Sequence, residues 1–219
     1  MKRLGFHIKP EWQNILAANK LDSYSALLNY RGQACTSSHT RGATWRVTLS
    51  GGQVIFIKQD YYTKLQPIIR SLVRLRKPLC NTVKERQALD LAARHGFVVP
   101  EVIAWGESRR LGLPNTGVMV MLPMDGVPVD QFAANPDNRE QAPAVIAKAE
   151  KTLARLQECR LDWKVDCKPE HFFVLRNGTI GLIDLERLTQ RSKPLGSDYC
   201  QMQLERFRSL LPEPFRSQA

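Results

Sequence analysis

The sequence predicts a two-part α+β fold, and three observations carry that prediction. Strand patterns cluster at residues 44–58 and again at 98–122. Helical periodicity dominates the remainder of the chain, over 142–160 and 198–211. One apolar hairpin interrupts the helical half, with an aspartate before it and another at its end. A parallel α/β sheet would instead alternate strand and helix throughout. The division is placed after residue 123. Residues 1–123 form an N-terminal part of helices and sheet, and 124–219 a small, mainly helical C-terminal part.

The elements run in order along the chain. Residues 10–30 hold two short helical patterns. Pro10 suits a first turn, with Trp12, Ile15 and Leu16 after it, and Asp22 or Ser23 can cap the second. Residues 44–49 alternate as a strand, 50–53 contain Gly51-Gly52 and turn, and 54–58 form a second strand. Residues 63–77 are helical, with Ile68, Ile69, Leu72 and Val73 apolar. A further helix over 82–95 stops at Gly96. Extended segments run through 98–100 and 102–105, and 117–122 is an apolar strand. Val145, Ile146, Ala149, Leu153 and Leu156 then recur at helical spacing.

With 219 residues, 43% of them hydrophobic, the chain can build one substantial domain or two small lobes. No apolar run approaches the ~18 residues that span a bilayer, and the N-terminus lacks the apolar core of a signal peptide. The expected location is the cytoplasm. Five scattered cysteines show no zinc spacing and are read as reduced thiols, three or more of them buried. A net charge of +11 points to an anionic partner. Nucleic acid is not expected, because basic and aromatic residues do not interleave in any recognised binding motif.

The hairpin carries the chemistry. Val165-Asp166-Cys167-Lys168-Pro169-Glu170-His171 leads into the strand at 172–175, the Asn177-Gly178 turn, and a second strand ending on Asp184. A carboxylate before the hairpin and another at its far end is the arrangement of a protein-kinase-like phosphotransferase. One acts as base beside the acceptor hydroxyl, the other as metal ligand beside the ATP phosphates. Asp166 is thus the candidate base and Asp184 the candidate Mg²⁺ ligand. Lys58 ends an apolar strand, where it can reach the phosphates of ATP and pair with a helix carboxylate, Glu85. A solvated strand-end lysine and a surface glutamate would look the same. His171 stands where a protein kinase has its metal-binding asparagine. Its residue type leaves a metal ligand and a packed, hydrogen-bonded histidine equally open. A loop covering phosphates should precede 44–47, yet only Gly42 stands there. Arg70, Arg74 and Lys77 line one side of the 63–77 helix, beside Arg76. That side can meet anionic lipid or a phosphorylated acceptor, or be an ordinary solvated face.

With these parts placed, the chain resembles the lipopolysaccharide core kinases of Gram-negative bacteria, the heptose and Kdo kinases. Val54-Ile55-Phe56-Ile57-Lys58 is similar to their lysine strand, and Val83-Lys84-Glu85-Arg86-Gln87-Ala88-Leu89 to their glutamate helix. The run from Val99-Pro100 to Gly106-Glu107, the loop from Asp166 to Phe173, and Ile183-Asp184-Leu185 also match. The resemblance spans roughly residues 40–190. It implies a two-lobed protein-kinase-like fold with a reduced C-terminal lobe. It implies ATP and Mg²⁺ as cofactors, and transfer of the γ-phosphoryl group to a sugar hydroxyl of the lipopolysaccharide core or another anionic glycan. It also implies His171 as a metal ligand, adenine packing against Met121, Leu122 and Met124, and peripheral action at the inner membrane. Two features depart from the pattern. Lys164 stands where a histidine is usual, and residues 185–219 hold no Ala-Pro-Glu motif. These departures favour one alternative, an inactive kinase fold serving as a binding or regulatory module; a second is a RIO-like or small-molecule phosphotransferase, types that usually keep an asparagine where this chain has His171.

Overall fold

The computed structural model describes residues 2–32, 34–73, 75 and 77–216. It divides into two compact units, Met1–Gln87 with Glu101–Pro123, and Ala88–Pro100 with Met124–Ala219. The sequence places all of 1–123 in one part. The structure assigns 88–100 to the other unit, and local contacts give the reason. Leu182 N–H donates to Val98 O at 2.9 Å, and the Arg155 guanidinium lies 4.7 Å from the centre of the Phe97 ring.

The first unit runs β1 (Lys2–Ile8), α1 (Pro10–Ala18), α2 (Tyr24–Leu28), β2 (Ala34–His39), β3 (Gly42–Thr48), β4 (Val54–Asp60), α3 (Leu65–Val73), the start of α4 (Asn81–Arg94), β5 (Val102–Arg110) and β6 (Leu113–Met121). The strands form an antiparallel sheet in the order β1-β5-β6-β4-β3-β2. β1 and β2 do not stand out in the sequence. β1 opens on Lys2-Arg3 and its register breaks between Leu4 and His7. β2 is a polar, solvent-exposed edge strand with no apolar alternation to mark it. Ser23, rather than Asp22, caps α2, accepting from Ala26 N–H at 3.1 Å.

One face of the sheet is the core. Ile55 and Ile57 of β4, Val118 and Val120 of β6, and Ile103 of β5 pack against Leu16 of α1 and Tyr24 and Leu27 of α2. Strand alternation puts Gln59 on that face with Ile55 and Ile57. Its buried amide accepts from Trp45 Nε1 at 2.9 Å and the Tyr61 hydroxyl at 2.8 Å, and donates to Leu27 O at 2.6 Å. Lys58 and Asp60 therefore point to the opposite face.

The second unit continues from the remainder of α4 through β7 (Gly126–Pro128), α5 (Val129–Ala134), α6 (Ala142–Glu158), β8 (Leu161–Asp162), β9 (Phe172–Leu175), β10 (Ile180–Leu182), β11 (Thr189–Gln190) and α7 (Ser197–Ser209). α6 buries the predicted stripe, Val145, Ile146, Ala149, Leu153 and Leu156. The Phe172 ring lies 5.3 Å from Trp163 and 5.1 Å, edge-on, from Phe207. A bidentate pair from Arg208 to Glu150, at 2.6 and 2.8 Å, ties α7 to α6. The second strand of the hairpin stops at Leu182, short of the predicted end at Asp184.

Two cysteines, Cys80 and Cys167, are fully buried rather than three or more, and Cys35 is exposed. Burial pushes the Cys80 thiol up to about 12 and the Cys167 thiol up to about 11. The thiolate is the nucleophile, so raising the pKa lowers reactivity at a given pH. Iodoacetamide at pH 8 should modify Cys35 on the native protein, and Cys80 and Cys167 only after unfolding. Peptide mapping by mass spectrometry checks the order.

Candidate active site

Lys58 and Glu85 are brought together. Lys58 Nζ forms an ion pair with the Glu85 carboxylate, which is buried. Sequence alternation and helix anchoring produce this pair jointly. Asp60 lies two residues beyond Lys58 on the same face of β4, and its Oδ2 accepts from Thr82 N–H at 2.7 Å at the start of α4. Burial raises the Asp60 pKa, and the Thr82 backbone and side-chain hydrogen bonds pull it back. Glu85 stands three residues on from Thr82, close to one helical turn, and so meets Lys58.

The approach to α4 is braced as well. Arg109, buried, donates from Nη2 to Pro78 O at 2.8 Å and from Nε to Glu107 Oε1 at 2.6 Å. Glu107 Oε2 accepts from Cys80 N–H at 3.4 Å. Gly117 of β6 lets this segment lie against the sheet: a Cβ there would overlap Thr82 Oγ1 and sit 2.5 Å from Cys80 Sγ.

Gly42 lies at the turn end of the β2–β3 hairpin. It is the first residue of β3, paired with His39 across a two-residue turn and with Asp60 on the other side. Met121 ends β6, paired with Phe56 and Val102, and Leu122 N–H donates to Glu101 O at 2.9 Å. Met124, in the second unit, packs on Gly181, where a Cβ would come 2.9 Å from its Cε.

Asp166, His171 and Asp184 converge in the second unit. His171 Nδ1 lies 2.8 Å from the backbone oxygen of Asp166. A carbonyl oxygen only accepts, so Nδ1 carries the hydrogen, and in the neutral ring Nε2 keeps its lone pair. Nε2 faces Asp184 Oδ2 at 3.6 Å and Glu170 Oε1 at 3.4 Å. A lone pair opposed to two carboxylates is repulsive. A cation among them, either a proton on Nε2 or a divalent metal, turns the repulsion into attraction. An imidazole oriented through its other nitrogen and a nearby carboxylate is a usual metal-ligand pair. Asp184 has φ +54°, a left-handed conformation that aspartate tolerates better than most residues. Asp166 itself is held by Arg187, whose Nε lies 2.9 Å from Oδ2.

Below this group, the fully buried Asp162 acts as a hub. Oδ1 accepts from Lys164 N–H at 2.8 Å, the Tyr199 hydroxyl at 3.1 Å and Gln203 Nε2 at 3.2 Å. Oδ2 takes Arg191 Nε at 2.8 Å and Nη2 at 2.7 Å. The bond to Asp162 bears on Lys164, which has φ +59°. A left-handed conformation costs an L-residue about 1–2 kcal/mol. The Asp162 bond to its N–H, and Gln203 Nε2 donating to its carbonyl at 2.9 Å, hold it there. The residue that departs from the kinase histidine is thus fixed through its backbone. Arg206 Nε adds a bond to Val165 O at 3.1 Å. Sequence reasoning misses Asp162, Arg187, Arg191, Tyr199 and Gln203. The one local signal is Asp162 itself, an acid beside Trp163.

This architecture, a lysine strand paired to a helix glutamate and an aspartate loop feeding a hairpin, is that of a protein-kinase-like phosphotransferase. The match to the profile of the lipopolysaccharide kinase (Kdo/WaaP) family covers residues 25–210, and the chain belongs to that family. WaaP, solved in complex with acyl carrier protein, superposes with a TM-score of 0.66 at 15% identity, covering 95% of this chain and 80% of that one. The Rio2 kinase from Chaetomium thermophilum, solved as an ADP/Mg²⁺-phosphoaspartate complex, gives 0.54 at 15% identity, covering 93% and 62%. No curated protein sequence matches. Among the described residues no helix is long and apolar enough to cross a membrane.

Asp162→Asn turns one acceptor of the hub into a donor facing other donors. It should lower unfolding stability by about 1.5–3 kcal/mol, the range for hydrogen bonds to a charged group. Chemical denaturation measures this, and unchanged stability would show the hub to be dispensable.

Proposed function

We propose that the chain transfers the γ-phosphoryl group of ATP to a sugar hydroxyl of the lipopolysaccharide inner core, on heptose or Kdo. The transfer takes place at the cytoplasmic face of the inner membrane, where Arg70, Arg74 and Lys77 meet anionic lipid. Arg74 lies outside the described residues. The observation that carries the reading is the convergence of His171 Nε2 on Asp184 beside Asp166, in a chain of a lipopolysaccharide kinase family. The +11 charge suits an anionic acceptor.

In this reading the chain's work is positional and electrostatic. Lys58, oriented by Glu85, neutralises phosphate charge. Met121, Leu122 and Met124 pack against adenine, and the Gly42 hairpin lies over the phosphates. Asp166 has Oδ2 held by Arg187, so Oδ1 is the atom that orients the acceptor hydroxyl and takes its proton. Asp184 and His171 would hold Mg²⁺, which when bound supplies charge neutralisation at the phosphates. Mg²⁺ is usually bound through one or two carboxylates with substrate phosphates and water, so Asp184 fits it. The imidazole donor also admits Mn²⁺.

A second interaction is suggested by a similar solved structure. WaaP was solved in complex with acyl carrier protein, and an acyl carrier protein is proposed as a partner for this chain.

The deciding experiment is incubation with Mg²⁺, γ-labelled ATP and dephosphorylated lipopolysaccharide core. Label should enter the core with the wild-type protein. Asp166→Ala and Asp184→Asn should each reduce transfer by about 10²–10⁴-fold with unchanged circular dichroism. Near-normal turnover in Asp166→Ala would remove its assignment as base. ATP hydrolysis without core labelling would retain a kinase and reject this acceptor.

A further inference from the structure

The 64–77 region combines two features that ordinary surface helices do not share. Helical spacing puts Leu65, Ile68, Ile69, Leu72 and Val73 within an arc of about 140°. Such a stripe normally faces the core. Here only Ile68, at one edge of the arc, is buried, at 5% exposure. Leu65, Ile69, Leu72 and Val73 are 64, 51, 49 and 79% exposed, and Leu75 beyond the helix is 97% exposed. The aliphatic face of α3 is turned outward, and Tyr62 just before it is also exposed.

The second feature is charge. Residues 61–84 contain six cations, Lys64, Arg70, Arg74, Arg76, Lys77 and Lys84, and no Asp or Glu. Arg70 is exposed and falls outside the aliphatic arc, while exposed Lys64 and Lys77 stand beyond the two ends of the helix. An acidic protein would draw cations into the middle of the contact. A lipid surface asks for the arrangement seen here, with side chains free of polar atoms facing the acyl region and cations at the margins, level with the headgroups.

We infer that α3 is an in-plane membrane anchor: Leu65, Ile69, Leu72 and Val73 insert into an anionic bilayer, and Lys64, Arg70 and Lys77 grip its headgroups. This rests on the membrane contact proposed above and changes its chemistry, because aliphatic insertion rather than charge alone holds the protein. The two terms respond differently to salt. Headgroup attraction is screened within about 3 Å at 1 M salt, whereas burial of aliphatic surface persists.

The test is sedimentation of the full-length protein with phosphatidylethanolamine/phosphatidylglycerol vesicles, with pure phosphatidylcholine vesicles as control. The variants are I69Q/L72Q/V73Q and R70Q/K77Q. All five positions are exposed, so melting temperatures should stay within a few degrees of wild type. The wild-type protein should bind the anionic vesicles and retain part of that binding in 1 M NaCl. The aliphatic triple variant should bind at least about tenfold more weakly, and R70Q/K77Q should lose binding mainly at low salt. Equal binding by the triple variant and wild type would overturn aliphatic insertion while leaving the charge contact standing. No sedimentation of the wild type would overturn both. Loss in the triple variant of self-association, or of acyl carrier protein capture, without any vesicle binding by the wild type would give the face to a protein and also overturn the anchor. Transfer to soluble core oligosaccharide, measured on the same variants, reports on the kinase reading separately.

Discussion

The buried carboxylate of Asp162 is the constraint on which the geometry of the second unit depends. A charge taken wholly out of water is tolerated only when nearly all of its lone pairs are engaged. Asp162 meets that condition with four partners drawn from three places: the Lys164 backbone next to it, Arg191 after β11, and Tyr199 and Gln203 on α7. Satisfying one group therefore fixes three segments at once. The loop carrying Asp166 emerges from this cluster, and His171 is then oriented by the Asp166 carbonyl. His171 is thus held by a loop that is itself held, which is how a loop keeps the close placement that phosphoryl transfer requires.

The first unit solves the same problem with a strand. Period-two alternation along β4 sends Ile55, Ile57 and Gln59 to the core face, and Lys58 and Asp60 to the other. Asp60 fixes the N-terminus of α4 through Thr82, and the one-turn offset from Thr82 to Glu85 does the rest. The Lys58–Glu85 pair is thus set by register. The buried Glu107–Arg109 pair supports it by anchoring the chain just ahead of the helix.

Much of this was legible in the sequence where the signal is local. The strand ending on Lys58, the α6 stripe, the Asn177-Gly178 turn and the two aspartates around the hairpin depend on periodicity or on turn chemistry within a few residues. The illegible part depends on distance. Arg191, Tyr199 and Gln203 reach Asp162 from 29, 37 and 41 residues away, and no spacing rule connects them. The short β7, β8 and β11 have too few residues to show alternation. The α3 pattern shows a further limit. Amphipathicity is plain in the sequence, but whether an apolar stripe faces the core or the solvent depends on what the rest of the chain leaves uncovered.

The last step of bracing in the second unit comes from α7. Thirteen residues, Ser197–Ser209, supply Tyr199 and Gln203 to the hub, Arg206 to the Val165 carbonyl, Phe207 to the aromatic core and Arg208 to Glu150 of α6. These positions occupy several sides of the helix, so it is engaged over much of its circumference. These tasks converge on one helix, and the Asp166 loop is braced directly by α7. Lys164 stands two residues before Asp166, where kinases usually keep a histidine. Its backbone N–H donates to Asp162 and its carbonyl accepts from Gln203, and these two bonds hold the turn.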